Sequence, residues 1–308
     1  MASGLASALT SQCEPGKGLY SLPYTGISIV DKQFCVIVAF FHEAMTPGDP
    51  ITLLSYFIGI GPIFTVIPAV ESYRTDRSAV IAFPVVFGLL SQVLTIGAIT
   101  PLYYLAFFLS GGRARFDTTT SITKAQAQAI IFGLIVGAGI VSICMVKFQN
   151  PIVTALWQPY PVFMAVATLL YLTIKRPIRA ESGFGTIQLF HIISFISASL
   201  LHLANLWPRR SDFEALKALY VPSLAPLVDT LTPAKAHDFL KWDLTFSLLS
   251  TGIAQLWFVS DVIEIPFILF WYLIAIPIFG PGAAVIAVSM WREGQIGDRP
   301  VIMKEKET

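Results

Sequence analysis

Residues 78–110 read SAVIAFPVVFGLLSQVLTIGAITPLYYLAFFLS, 33 positions without a charged side chain. As a single helix this run would extend about 50 Å, well beyond the roughly 30 Å of hydrocarbon that an upright span has to cross. One tilted helix bent near Pro101 absorbs the excess. Working outward from it, runs of similar character lie at 27–45, 51–71, 125–146, 151–174, 186–207, 239–260 and 265–291. The expected fold is therefore all-α, a polytopic transmembrane helix bundle of eight spans. Asp31 and Lys32 interrupt the first run, so seven spans is the fallback.

Composition agrees with that class. The chain is 55% hydrophobic and 13% charged, with a mean hydropathy of +0.71. Such a balance excludes an ordinary soluble domain and a disordered chain. A net charge of +1 leaves no positive field for bulk nucleic-acid binding. Cys13, Cys35 and Cys144 are odd in number and have no paired spacing, so neither a disulfide framework nor a thiolate metal site is expected. The run expected at 27–45 would act as an uncleaved insertion signal.

Loop charge sets the expected orientation. Of the 20 lysines and arginines, 14 fall on one side of the eight-span layout and 6 on the other, which puts both termini in the cytosol, with the endoplasmic reticulum as the expected membrane. The domain plan is a tail at 1–26, a bundle at 27–291 with a cytosolic loop at 208–238, and a second tail at 292–308. Within that loop Phe213, Leu216, Leu219 and Tyr220 recur at helical spacing, which predicts a short helix lying on the membrane surface.

Ionisable residues inside spans are costly and so point to function. Glu71 in PAVESYR and Asp243 in FLKWDLTFS are the clearest, and the eight-span layout puts both at one depth near the cytosolic end, where they could face one pocket as catalytic acid and charge partner. The bland alternative pairs Glu71 with Arg74, and Asp243 with Lys241 or Lys235, as interfacial anchors. Trp157, Tyr160, Trp242 and Tyr73 gather at the same level, where aromatic faces could stabilise a carbocation or simply anchor the chain. His202 and Asn205 lie nearby on another span. His191 is about 16 Å along the helix from His202, too far to share a metal. No acidic diphosphate motif, HExxH, GxSxG, P-loop or GxGxxG is present, so no metal and no cofactor is expected and metal-independent acid chemistry on a lipid-soluble substrate remains.

Size, span number and the placement of Glu71 and Asp243 resemble the fungal integral-membrane terpene cyclases of meroterpenoid pathways, most of all the eight-span ascofuranone type. The context of Glu71, preceded by Ile67, Pro68, Ala69 and Val70, differs from that of the seven-span type. The resemblance implies protonation of a terminal epoxide on a farnesyl chain attached to an aromatic or polyketide core, with ring closure through a carbocation. It makes Glu71 and Asp243 catalytic, with Trp157, Tyr160, Trp242, Tyr73, His202 and Asn205 lining the substrate pocket. The partners it implies are a lipophilic prenylated epoxide and the bilayer. A small transporter or lipid scaffold, and a sterol-isomerase-like enzyme, are the rival classes.

Overall fold

Prolines set many of the helix starts, because a proline in the first turn forfeits no hydrogen bond and arrives with a helical φ. The computed structural model describes residues 4–14, 16, 18–74, 77–110, 121–227, 230–259 and 261–297. In order, the helices are α1 (Leu5–Ser11), α2 (Ser28–Ala44), α3 (Asp49–Ile60), α4 (Pro62–Tyr73), α5 (Pro84–Leu94), α6 (Ile96–Leu109), α7 (Lys124–Gly133), α8 (Ile140–Phe148), α9 (Pro151–Trp157), α10 (Tyr160–Ile174), α11 (Phe184–Leu206), α12 (Phe213–Tyr220), α13 (Thr232–Trp257), α14 (Glu264–Phe279) and α15 (Pro281–Gly297). Pro50, Pro62, Pro84, Pro151, Pro161, Pro233 and Pro281 all sit at or next to the first residue of a helix. Among the described residues there is no strand, which agrees with the all-α expectation.

Three helices are long and apolar enough to cross a membrane: α3 with α4 (Asp49–Tyr73), α7 with α8 joined by a π turn (Lys124–Phe148), and α11 extended to Arg209. The pair α9 and α10, bent by 55°, makes a fourth if counted as one. Large apolar side chains face outward, as with Leu169, Phe267 and Leu273 at 60, 70 and 73% exposed. Such an outward apolar surface is consistent with a bundle that meets lipid. α13 is equally long but turns Ser247, Thr251 and Gln255 into the interior, so it is the polar-cored central helix.

The stretch that opened the sequence reading folds differently from the expectation. Residues 84–109 are two helices that reverse at Thr95 (φ 94°), not one helix bent at Pro101. Phe87 and Tyr103 prove the reversal: 16 residues apart, they would be about 24 Å apart on a straight helix, yet their rings meet at 5.2 Å. Pro101 stays inside α6. α14 and α15 form a second hairpin at Gly280 (φ 89°), whose far ends meet through a Gln295 to Glu264 hydrogen bond of 3.2 Å. The run expected as one span at 265–291 therefore goes in and returns, and the buried bundle continues to residue 297 rather than ending at 291.

Two hairpins shift the parity of everything between them. At one end of the bundle Arg209 pairs with Asp49 at 2.8 Å, α12 packs Leu219 into the core, and His237 and Lys241 donate to the last carbonyls of α12 at Leu219 and Ala218. Glu71 lies at the other end, around one small pocket with His191, Gln255 and Arg292. On α13, His237 and Gln255 are 18 residues apart, about 27 Å of helix. Arg74 on one side and Arg209 and Lys241 on the other, counted together in the loop tally, thus sit at opposite ends, and that basis for orientation is removed. α1 packs Leu5 and Leu9 beside Ala236 at the Asp49 end, whereas Gly297 lies against Phe184 at the Glu71 end. The described ends of the chain are on opposite faces, not one.

A further correction concerns cysteine. Cys13 and Cys35 are joined in a disulfide that ties α2 to the turn after α1. Their 22-residue separation carries no motif, and the pairing depends on α1 folding back onto α2, which spacing alone does not reveal. α1 and Cys13 are accordingly packed into the structure, with α1 at the Asp49 end, rather than lying in a free tail.

Candidate functional site

Glu71 is in the last turn of α4 and only 5% exposed. Its carboxylate accepts from Arg74 Nε at 2.9 Å, the i,i+3 neighbour, and from Arg292 Nη1 at 2.7 Å across the bundle. Arg74 also donates to Glu293. Two carboxylates and two guanidiniums, all buried, form one charge-balanced cluster, with the Arg292 guanidinium over the Phe258 ring at 4.0 Å. Charge-assisted bonds of this kind use the acceptor capacity of Glu71, so in this arrangement it acts as an acceptor and a counter-charge. Val66, Tyr104, His191, Gln255 and Ser289 close a space of about 20 Å³ against the cluster. That is room for one water among several polar groups.

On the other side of Tyr104 lies a larger cavity of about 290 Å³. Its walls come from α4 (Phe64, Pro68, Tyr73), both arms of the first hairpin (Phe87, Ile99, Tyr103) and α10 (Tyr160, Met164). The hairpin is what makes this space: a straight helix over 84–109 would not bring Phe87 and Tyr103 to one wall.

Asp243 is elsewhere. Twelve residues before Gln255 on α13, it is about 18 Å along the axis from the Glu71 level, so the two acids do not share a depth, and Asp243 lines neither of the two cavities described above. Its carboxylate accepts the Gly97 N–H at 2.6 Å, at the hairpin apex where α6 begins and its first N–H groups lack helical partners. An acid at this point complements the positive end of the helix. Gly97 is required there, since a Cβ would stand 2.6 Å from Asp243 Oδ1. Burial in protein is also what permits a chain reversal at membrane depth.

His202 does the same at the second apex. Its Nε2 donates to the Pro277 carbonyl at 3.3 Å. In a continuing helix residue 281 would donate to that carbonyl, but Pro281 has no N–H. Trp242 Nε1 donates to Ser223 O at 3.2 Å and its ring stacks on Phe246, while the Asn205 carbonyl accepts from Arg209 at 3.2 Å. Trp157 donates to Ser142 Oγ at 2.8 Å and packs between Phe41 and Tyr160.

Of the residues selected from sequence, the structure brings Tyr73 and Tyr160 to the large cavity and Glu71 to the small space beside it. It places Asp243, Trp242, His202 and Asn205 toward the other end. Arg74 entered the sequence reading only as the ion-pair partner of Glu71 in the interfacial-anchor alternative, and Arg292, Glu293, Tyr103, Tyr104 and His191 were not chosen for the site. Arg292 and Glu293 sit past the last expected span, and only an ionised pair in an otherwise apolar helix could have marked them.

The CtvD domain family model matches residues 3–296. A protein described as terpene cyclase ctvD, from Aspergillus terreus, is 27% identical over 172 residues, 51% of this chain and 48% of that protein. An FAD-dependent monooxygenase, verC1 of Penicillium polonicum, is 21% identical over 262 residues, 78% of this chain and 32% of that protein. The chain thus spans about half the length of the first relative and a third of the second. No solved structure matches it. A family match running almost from end to end agrees with the resemblance to fungal terpene cyclases, and the chain belongs to the CtvD domain family.

Proposed function

We propose that this protein is a membrane terpene cyclase that opens a terminal epoxide on a prenylated, farnesyl-type substrate and closes a ring through a carbocation. The observation that carries the proposal is the apolar cavity of about 290 Å³ that shares the Tyr104 wall with the buried Glu71 cluster. Its size is near the lower end for small-molecule pockets, about 300 Å³, and suits a flexible apolar chain. The faces of Phe64, Tyr73, Phe87 and Tyr160 offer cation–π stabilisation without a nucleophile. Excluding bulk water protects the cation from capture until the ring has closed. Glu71, held by two arginines, is a fixed acceptor and counter-charge within the buried cluster that backs the cavity wall. Asp243 acts one step back, as a positioning residue for the hairpin that forms the cavity wall.

The verC1 similarity supports an oxygenated substrate. About a third of a protein named as an FAD-dependent monooxygenase is similar to this chain, and an alkene that receives one oxygen atom becomes an epoxide. A ring-closing partner would then act directly on that product.

The test is to express the chain in yeast microsomes and supply a phenol bearing a terminally epoxidised farnesyl chain. The expected product is a cyclised isomer of unchanged mass, formed by wild type and strongly reduced in Glu71→Gln. Absence of any isomer from a panel of prenyl epoxides would reject the proposal.

A further inference from the structure

Tyr103 of α6 lines the large cavity, is 3% exposed, and has a buried hydroxyl with no hydrogen-bond partner among the described residues. Three other phenols of the bundle are engaged: Tyr56 accepts from Gly282 N, Tyr272 donates to Gln255, and Tyr104 reaches Thr251, whereas the buried Tyr220 hydroxyl, remote from the cavity, is likewise without a partner among the described residues. A buried polar group left unpaired costs stability unless something else partners it. Nor is the ring free to swing away. Phe87 and Tyr104 pack edge-on against it at 5.2 and 5.3 Å, and Phe107 closes a third side at 6.5 Å. The hydroxyl is therefore a fixed, buried donor in the wall of the cavity, and what it lacks is an acceptor, which a ligand oxygen reaching that wall would supply.

We propose that Tyr103 is the catalytic hydrogen-bond donor and acid that receives the epoxide oxygen of the substrate. This rests on the cyclase reading above and names the group that opens the ring. The Tyr103 O–H proton passes to the epoxide oxygen as the C–O bond to the more substituted carbon breaks, leaving an alcohol and a carbocation. An alkene or hydroxyl of the same substrate attacks that carbon and forms the new ring bond. The proton then lost from the cyclised cation returns to the Tyr103 oxygen, so the product is an isomer and neither oxidant nor reductant is consumed.

Tyr103→Phe removes only the hydroxyl. With the epoxidised farnesyl phenol, it is expected to cut kcat by at least about 100-fold, the scale of general acid catalysis, while KM stays within a few-fold. Because the lost hydroxyl has no protein partner, the variant melts in detergent at the wild-type temperature or above. Tyr220→Phe, at the far end of the bundle, keeps the wild-type rate. Wild-type turnover in Tyr103→Phe, or equal losses in both variants, would overturn the assignment. So would a clear drop in the melting temperature of Tyr103→Phe, which would show that the hydroxyl is paired within the protein. That melting result decides the role of Tyr103 even if wild type leaves every epoxide unchanged, an outcome that would reject the cyclase reading instead.

Discussion

Two carboxylates that look alike in sequence have different tasks. Glu71 belongs to a buried ion cluster, and removing one partner of such a cluster leaves charge uncompensated, at a cost of about 3–5 kcal/mol. Glu71→Gln should therefore lower the melting temperature as well as the activity; a variant that melts like wild type would mean the cluster is not formed. Asp243 acts as a cap, so the acceptor oxygen matters more than the charge. Asp243→Asn should keep most of the cyclisation rate, while Asp243→Ala should lose about 1 kcal/mol of stability and loosen the cavity wall. Equal and complete loss of turnover in both would restore Asp243 as a catalytic acid. Sequence singled out both acids as costly inside spans; Glu71 is buried and Asp243 partly so. It could not show why they are tolerated, because the Asp243 partner is 146 residues away and the Arg292 partner of Glu71 is 221 residues away.

At the scale of elements, the re-entrant hairpin α5–α6 creates the cavity, and small residues let it and its neighbours pack. Gly97 meets α13, and Gly137 in the π turn meets the Met164 backbone, where a Cβ would come within 2.3 Å. Gly97→Ala should destabilise by about 1–3 kcal/mol, the usual penalty for overpacking, and reduce ligand binding with it. Thermal melting with and without the farnesyl phenol checks this, and an unchanged melting point would show that α6 and α13 are not this close. Hydrophobicity located α5 and α6 as apolar segments and located α12 from its helical spacing. The reversal was hidden because a charge-free run looks alike whether it is straight or folded, and Thr95 is not a residue that announces a turn. What enforces the turn is a carboxylate from another helix.

For the whole molecule, membrane character was legible in composition, but orientation was not. Once two hairpins each return to the end they entered from, every loop assigned by counting eight crossings must be reassigned. The Cys13–Cys35 disulfide offers an independent marker, since disulfides persist in oxidising compartments. The end carrying α1, α2 and α12 should face the lumen and the end carrying Glu71 the cytosol. Single cysteines introduced at Asp212 and Arg179 in a chain lacking Cys144 should then differ, only the latter being labelled by an impermeant maleimide added to sealed microsomes. Labelling of both from one side would refute the parity deduced from the hairpins. Cys13→Ser should cost about 3 kcal/mol by the loop-closure estimate, seen as a lower melting temperature under non-reducing conditions.

The location of the substrate can be read directly by photo-crosslinking. A farnesyl phenol carrying a diazirine near the chain terminus, irradiated with the full-length protein in microsomes and mapped by peptide mass spectrometry, should attach to residues 87–104 and 160–169, the two sides of the cavity beside Glu71. Attachment instead to residues 202–246, around His202 and Asp243, would contradict the site proposed here.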